Sequence, residues 1–391
     1  MAREQDWLRE RLEELEGIDR PSASEGERRA AEWLVGQFAE LGTEARIEAE
    51  PAHGTYWWPL GIGAFLGALG ALAALRGRRL LGALVGLIGA AGIADDFPPG
   101  KRRLRQPLPR RTTYNVVCEL GDPEAERTVV VIAHHDAAHS GLVFHPEIPL
   151  IADRLGLIAR TDTSPMLMAP VIGGPILAAL GALSGKRALA KLGLLLGLGS
   201  AAAMAEIGAR KVVPGANDNG TSVVALLALA RKFMAEPPQG VRVVLLSTGS
   251  EESFSEGIKA FGERHFPNLP KESTFFLCLE SIGSPHLLVL RGEGFLKMRE
   301  YPARSLAFMD GLAEELGIWL YPNLRLHNGT DGLEPLAAGY ETVALCSCTD
   351  LKQAANYHWP NDLAENVDFE TLADGVRLSE TAVRRLGERW L

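Results

Sequence analysis

The stretch VRVVLLSTGSEE, residues 241–252, ends in two adjacent carboxylates, Glu251 and Glu252. Val241, Val243, Val244, Leu245 and Leu246 form a short apolar run rich in β-branched residues, the pattern of a buried strand. In open α/β sheets, sites lie beyond the carboxyl ends of strands. Two neighbouring carboxylates there could divide the labour, one binding a metal ion and the other moving a proton. An isolated Glu-Glu is also what a solvated first helical turn carries, so the chemical reading depends on partners elsewhere. Candidates recur at other strand ends: His134 and Asp136 after Thr128–Ala133, Asp218 within ANDNGTS, Glu280 after Thr274–Leu279, and His358 beyond the late strand Thr342–Cys346. A lone strand-end histidine is most often structural, but separated acid and histidine positions at corresponding strand ends form a set. Imidazole with carboxylates suits zinc or a similar divalent ion, and one carboxylate can bridge two ions. Two ions about 3.5–4 Å apart would polarise a carbonyl and activate water at neutral pH.

These residues carry a resemblance. His134-x-Asp136, then Asp218, then Glu251-Glu252, then Glu280 before Ser281-Ile282-Gly283, then Tyr357-His358-x-Pro360-x-Asp362 resembles the M28 family of zinc peptidases. The resemblance covers roughly 1–56 and 112–391, apart from apolar insertions. It implies two Zn2+ per chain, with His134 and Glu280 on one ion, Glu252 and His358 on the other, and Asp218 bridging them. It implies Glu251 as the general base and Asp136 as the partner that orients His134. Alternation along a strand puts His134 and Asp136 on one side, which favours His134 over His135 as the ligand. Tyr357 could donate to the oxyanion of the tetrahedral intermediate, or simply pack. Asp362 is expected to support the ligands from behind, and Asp331 either does so or caps a turn. Glu280 stands where the family pattern more often has Asp. Thr330-Asp331-Gly332 stands where it often has Ser-Asp-His.

The activity implied is that of a zinc-dependent exopeptidase, an aminopeptidase by the resemblance, acting on short peptides. Two rivals stay open: a glutaminyl-cyclase-like acyltransferase using a single zinc, and a non-catalytic peptidase-like membrane scaffold. The first needs only one ligand set, whereas both His134 and Glu280 are present. The second would have lost ligands and base.

The elements that must position these residues alternate between strands and helices. That order predicts an α/β fold with a mostly parallel mixed sheet and helices on both faces, of the zinc-exopeptidase type by the resemblance. The helix over Ala31, Leu34, Val35, Phe38 and Leu41, opened by a Ser24/Glu27 capping box, reads as packing only. The peptidase domain is expected in three pieces, 1–56, 95–163 and 206–391, with apolar helical hairpins at 57–94 and 164–205.

Both hairpins are candidate membrane insertions. Residues 57–75 and 164–185 carry no charge and meet the roughly 17–25 residues that span a bilayer; the uncharged runs 80–94 and 192–205 fall short of it. Gly63-x-x-x-Gly67, Gly82-x-x-x-Gly86 and Gly193-x-x-x-Gly197 place small residues where helices could touch closely in lipid. Tyr56, Trp57 and Trp58 would suit the interfacial belt. Buried hairpins in a soluble protein are the alternative. The basic linker 95–111 could lie on anionic headgroups or stay solvated. Basic residues lean toward the catalytic side of the hairpins over their tips, which predicts a membrane protein with a cytoplasmic catalytic domain. The amino-terminal segment is charged and helical, unlike a signal peptide. The net charge of −9 argues against nucleic-acid binding. Cys118, Cys278, Cys346 and Cys348 read as buried reduced thiols, with a Cys346-x-Cys348 metal pair as the weaker alternative.

Overall fold

The computed structural model describes residues 2–158 and 161–391. The main sheet uses β1 (Ala45–Ala52), β2 (Arg111–Gly121), β3 (Thr128–His134), β4 (Arg242–Thr248), β5 (Thr274–Glu280) and β6 (His286–Val289). The short strands β7 (Gly292–Glu293), β8 (Arg299–Glu300) and β9 (Arg325–Leu326) form a second sheet, and β10 (Glu341–Cys348) completes the first. The main order is β1-β2-β4-β3-β5-β10-β6. Its four central strands, β4, β3, β5 and β10, run parallel, and the pairings outside them are antiparallel. The central strands therefore deliver their carboxyl ends, and the residues that follow, to one edge.

Helices cover both faces. In chain order they are α1 (Ala2–Glu16), α2 (Glu25–Glu40), α3 (Trp57–Leu75), α4 (Arg79–Asp96), α5 (Glu147–Arg154), α6 (Ala169–Ser184), α7 (Arg187–Ala209), α8 (Thr221–Ala235), α9 (Glu256–His265), α10 (Ala303–Leu316), α11 (Leu333–Ala338) and α12 (Phe369–Glu388). Side chains alternate along β3, so Val129, Val131 and Ala133 join the core that includes α8 and α12, while Val130 and Ile132 join the core that includes α9. Every residue of β3 is buried, which explains its unbroken apolar reading.

α3 matches its uncharged run, α4 and α7 run past theirs, and α6, at 16 residues, begins only at Ala169 and falls short of the membrane-length run expected over 164–185. The four helices pack as a single bundle, with α3 against α4, α6 and α7, and α6 against α4 and α7. α7 extends to 23 residues because its helix includes Arg187, Lys191 and Glu206 at its ends. Trp57–Leu75 and Arg187–Ala209 are long and apolar enough to cross a membrane. The bundle packs by small residues. A Cβ on Gly89 would stand 2.5 Å from the Gly63 carbonyl, one on Gly193 2.5 Å from the Ala178 nitrogen, and one on Gly197 2.8 Å from the Ala64 carbonyl. Large apolar side chains point outward instead: Leu80 is 84% exposed and Leu195 68%. At the far tip Arg79 donates to the Ala182 and Leu183 carbonyls and Arg187 to that of Leu75, capping the ends of α6 and α3.

The basic linker differs from expectation. Arg102 and Arg105 are buried rather than lying out toward headgroups or solvent. Arg105 forms a two-pronged pair with Asp96 at 2.8 Å and donates to the Ser253 carbonyl at 2.6 Å; Arg102 donates to the Phe254 carbonyl. The end of α4 is thereby tied to the loop just after Glu251-Glu252. Tyr56 is also buried, stacked on Phe254 at 4.9 Å, so only Trp58 of the three aromatics is exposed.

Candidate metal centre

His134 is the last residue of β3 and pairs in register with Thr248, the last of β4. Glu251 and Glu252 follow β4, Glu280 ends β5, and His358 lies in the loop after β10. Asp218 is carried by the irregular turn 216–220 that opens α8. The topology brings them together. The two carboxylate oxygens of Asp218 are divided between the imidazoles: Oδ1 lies 3.5 Å from His134 Nε2, and Oδ2 3.4 Å from His358 Nε2. Glu280 Oε1 stands 3.4 Å from His134 Nε2, and Glu252 Oε2 3.2 Å from His358 Nε2. Glu251 reaches only 3.9 Å from His134.

These contacts fit a metal better than they fit hydrogen bonds. Two ligand atoms each about 2.0–2.1 Å from a tetrahedral zinc lie roughly 3.3–3.4 Å apart, the spacing seen here. His134 Nε2 and Glu252 Oε1 are buried and find no hydrogen-bond partner among the described residues. His134 Nδ1 faces only acceptors, the Asp136 carbonyl at 3.2 Å and its carboxylate at 3.4 Å. Nδ1 therefore carries the proton and the Nε2 lone pair faces the centre. Charge agrees with geometry. Burial pushes Glu252 up to about 7 and raises Glu251 and Glu280. Burial alone would lower His358, but Glu252 and Asp218 raise it to about 10. Such a crowd of carboxylates lacks positive charge, and divalent ions would supply it.

His135 points away, its Nδ1 2.9 Å from Ser247 Oγ, and burial lowers it to about 4. The four cysteines are free and buried; Cys346 and Cys348 line the cavity above the centre.

Support comes partly from unexpected places. Asp136 lies beyond the end of β3, and its carboxylate accepts the amides of Glu251 at 3.0 Å and Glu252 at 3.1 Å and the Ser22 hydroxyl at 2.6 Å. Its main hold is on the glutamate loop, with His134 at the longer distance. Asp362 accepts the amides of Asn217 and Asp218 at 2.8 and 3.0 Å. Asp331 accepts from the Thr248 hydroxyl, and burial raises it to about 6. The amino-terminal helices contribute residues that the sequence reading passed over. Ser24 caps α2 as expected, but Glu27 reaches past the cap to accept Ala23 N, Tyr114 N, Thr113 Oγ1 and Ser250 Oγ, fixing the turn before Glu251. Arg20, fully buried, donates to the Pro214 and Gly215 carbonyls at 2.6 and 2.7 Å and holds the turn before Asp218.

Residues 203–382 match the model of peptidase family M28. The match spans 180 of the chain's 391 residues and marks that segment as a peptidase of family M28. The segment holds Asp218, Glu251, Glu252, Glu280 and His358; β3 adds His134 from outside it. The enzyme class is metallopeptidase, as expected from the motif order. No curated protein sequence matches the chain. Solved structures share its fold. An aminopeptidase from Aneurinibacillus sp. strain AM-1 is 13% identical, with 97% of this chain and 93% of that one covered and a TM-score of 0.60. A glutaminyl cyclase from Tannerella forsythia is 16% identical, with 98% of each chain covered and a TM-score of 0.58. A Zn-dependent exopeptidase from Parabacteroides distasonis is 12% identical, with 97% of each covered and a TM-score of 0.56.

Proposed function

We propose that the chain is a membrane-inserted, two-zinc aminopeptidase. The observation that carries this reading is the division of the Asp218 carboxylate between His134 and His358, each with its own glutamate, Glu280 or Glu252. His134, Glu280 and Asp218 would hold one ion, and His358, Glu252 and Asp218 the other. Zinc bound there supplies Lewis acidity toward a carbonyl oxygen and toward water.

The remaining work falls to side chains. Glu251 is fixed through its backbone by Asp136 and lines the cavity without sharing the Asp218 contacts. Burial raises its pKa, which suits a carboxylate that takes a proton from the attacking water and returns it to the leaving nitrogen. Burial and the neighbouring carboxylates keep the Tyr357 phenol protonated. It stacks on His358 with ring centroids 3.8 Å apart and can donate to a developing oxyanion.

The four-helix bundle supports the membrane part. Its exterior is large and apolar and its interior is mostly glycine and alanine, with Leu60, Ile93, Met204 and Ile207 filling the base, a pattern that suits close helix contact in lipid. We place the catalytic domain on the cytoplasmic side, following the basic residues; cleavage of that domain by protease added to intact spheroplasts would overturn this orientation.

The deciding experiment is metal content per chain by elemental mass spectrometry, on wild type and Glu280→Ala, beside hydrolysis of amino-acid amides. About two zinc per wild-type chain, dropping in the variant, with amide hydrolysis, is expected. One zinc indifferent to Glu280, with cyclisation of amino-terminal glutamine, would instead identify the cyclase chemistry of the Tannerella forsythia relative. No metal after zinc reconstitution would leave a scaffold.

A further inference from the structure

The catalytic cavity is walled on one side by the base of the bundle and by the segments that join it, through Tyr56, Phe144, Leu167 and Met168. A second cavity lies beside it. It runs between α6 and α7, lined by Pro170 and Val171 on one side and by α7 residues from Leu195 to Ile207 on the other. Phe144, Leu167 and Met168 line both cavities. The Phe144 ring meets the His358 imidazole edge-on at 4.5 Å between centroids. The second cavity thus reaches the metal centre with one aromatic ring between them.

Its chemistry selects the occupant. Ser200 is the single polar side chain among its lining residues. A peptide backbone lying there would leave its N–H and C=O groups without partners, at several kcal/mol each. A hydrocarbon chain needs none. From Leu195 to Ile207 the α7 wall is roughly 18 Å long by helical rise, enough for a chain of many methylenes. The groove opens along the flank where Leu195 is 68% exposed, the surface that faces lipid in the reading above.

We propose that this groove takes a hydrocarbon chain carried by the substrate, so that the substrates are lipid-modified or alkyl amides of amino acids and short peptides. The proposal rests on the aminopeptidase reading. There the amino-terminal residue stays at the metal centre, and the chain lies on the leaving-group side. Water adds its oxygen to the carbonyl carbon, the C–N bond breaks with its electron pair going to nitrogen, and Glu251 passes the proton it took from water to that nitrogen. The free amino acid and an alkylamine leave.

The test uses the full chain in lipid nanodiscs and leucine n-alkylamides from ethyl to dodecyl, with kcat/KM referred to free aqueous substrate. Gly199 lies in the groove wall and Gly173 on α6 outside it, and an added Cβ meets nothing within 4 Å at either. Gly199→Trp plugs the groove, and Gly173→Trp is the control for altered bundle surface and lipid partitioning. The wild type and Gly173→Trp should gain about three- to fourfold in kcat/KM per methylene. Gly199→Trp should lose that gain and stay within twofold of wild type on the ethylamide. A leucine alkylamide with a terminal diazirine should label residues 195–207 in the wild type and not in Gly199→Trp. A chain-length gain that survives Gly199→Trp, or labelling elsewhere, would overturn the proposal. If no amide is cleaved, the peptidase reading fails, and the labelling alone decides whether the groove binds the chain.

Discussion

The carboxylate of Asp136 accepts the backbone amide of Glu251 at 3.0 Å, and through its other oxygen that of Glu252 at 3.1 Å. One buried side chain thus sets the position of both glutamates relative to His134. Replacing Asp136 by Ala leaves these donors unpaired, at about 1–3 kcal/mol apiece, and releases the loop. Asp136→Ala is expected to lower kcat/KM and zinc retention by roughly 10–100-fold. Ser22→Ala, which removes one donor to the same carboxylate, should cost far less. Equal losses in the two variants would contradict this assignment.

Glu251 shares neither Asp218 contact, and the proposed reading gives it proton transfer. Glu251→Gln keeps its shape and loses its basicity. The variant should hold wild-type zinc and wild-type thermal stability while kcat falls by about 10²–10⁴-fold. Full activity in that variant would remove the base; lost zinc would make Glu251 a ligand.

The bundle is close-packed by backbone at its glycines, so one added methyl separates the outcomes. Gly193→Ala drives a Cβ to 2.5 Å from the Ala178 nitrogen and is expected to cost about 1–3 kcal/mol. Gly199→Ala meets nothing and should be neutral or gain up to about 1 kcal/mol from helix propensity. Thermal unfolding in detergent distinguishes them, and equal melting temperatures would refute the close packing.

Glu256 carries a pH dependence. Burial opposes its charge, but hydrogen bonding with His53 and the guanidinium groups of Arg105 and Arg102 outweigh that and lower it to about 2, from an ordinary 4.5. The depressed value means that ionised Glu256 stabilises the fold above about pH 4.5. That contribution, up to about 3 kcal/mol, is lost as pH falls toward 2. Glu256→Gln should flatten the fall in melting temperature between about pH 5 and pH 2. An unchanged slope would show that other carboxylates carry it.

Much of the site was legible because its residues sit at ends of buried strands, where an apolar run stops at a charged residue. His134, Glu280 and the Glu251-Glu252 pair announce themselves this way. β1 did not. ARIEAEPA is an antiparallel edge strand with only two of its eight residues buried, and its glutamates and proline hide the alternation. Glu27 and Arg20 were illegible for another reason. Each acts across the fold, on residues separated from it by 223 and 194 positions, and nothing near them in the chain marks that reach. Arg102 and Arg105 read as surface residues, on headgroups or solvated, because a basic run usually is; Asp96 and Glu256 draw Arg105 inside, and the Phe254 carbonyl and Glu334 hold Arg102.

The hairpins interrupt the sheet between strands that must later be neighbours. β1 precedes the first hairpin, β2 and β3 lie between the two, and β4, β5 and β10 come after the second. During synthesis, His134 emerges before α6 and α7, while Asp218, Glu251, Glu252, Glu280 and His358 all emerge after them. β3 has neither of its neighbours, β4 and β5, until the bundle is complete. All four bundle helices are therefore synthesised before the sheet can close. A ribosome stalled between the hairpins displays His134 with Asp136 and none of the other proposed metal ligands, so hydrolytic capacity arises only in a chain whose bundle helices have already been synthesised.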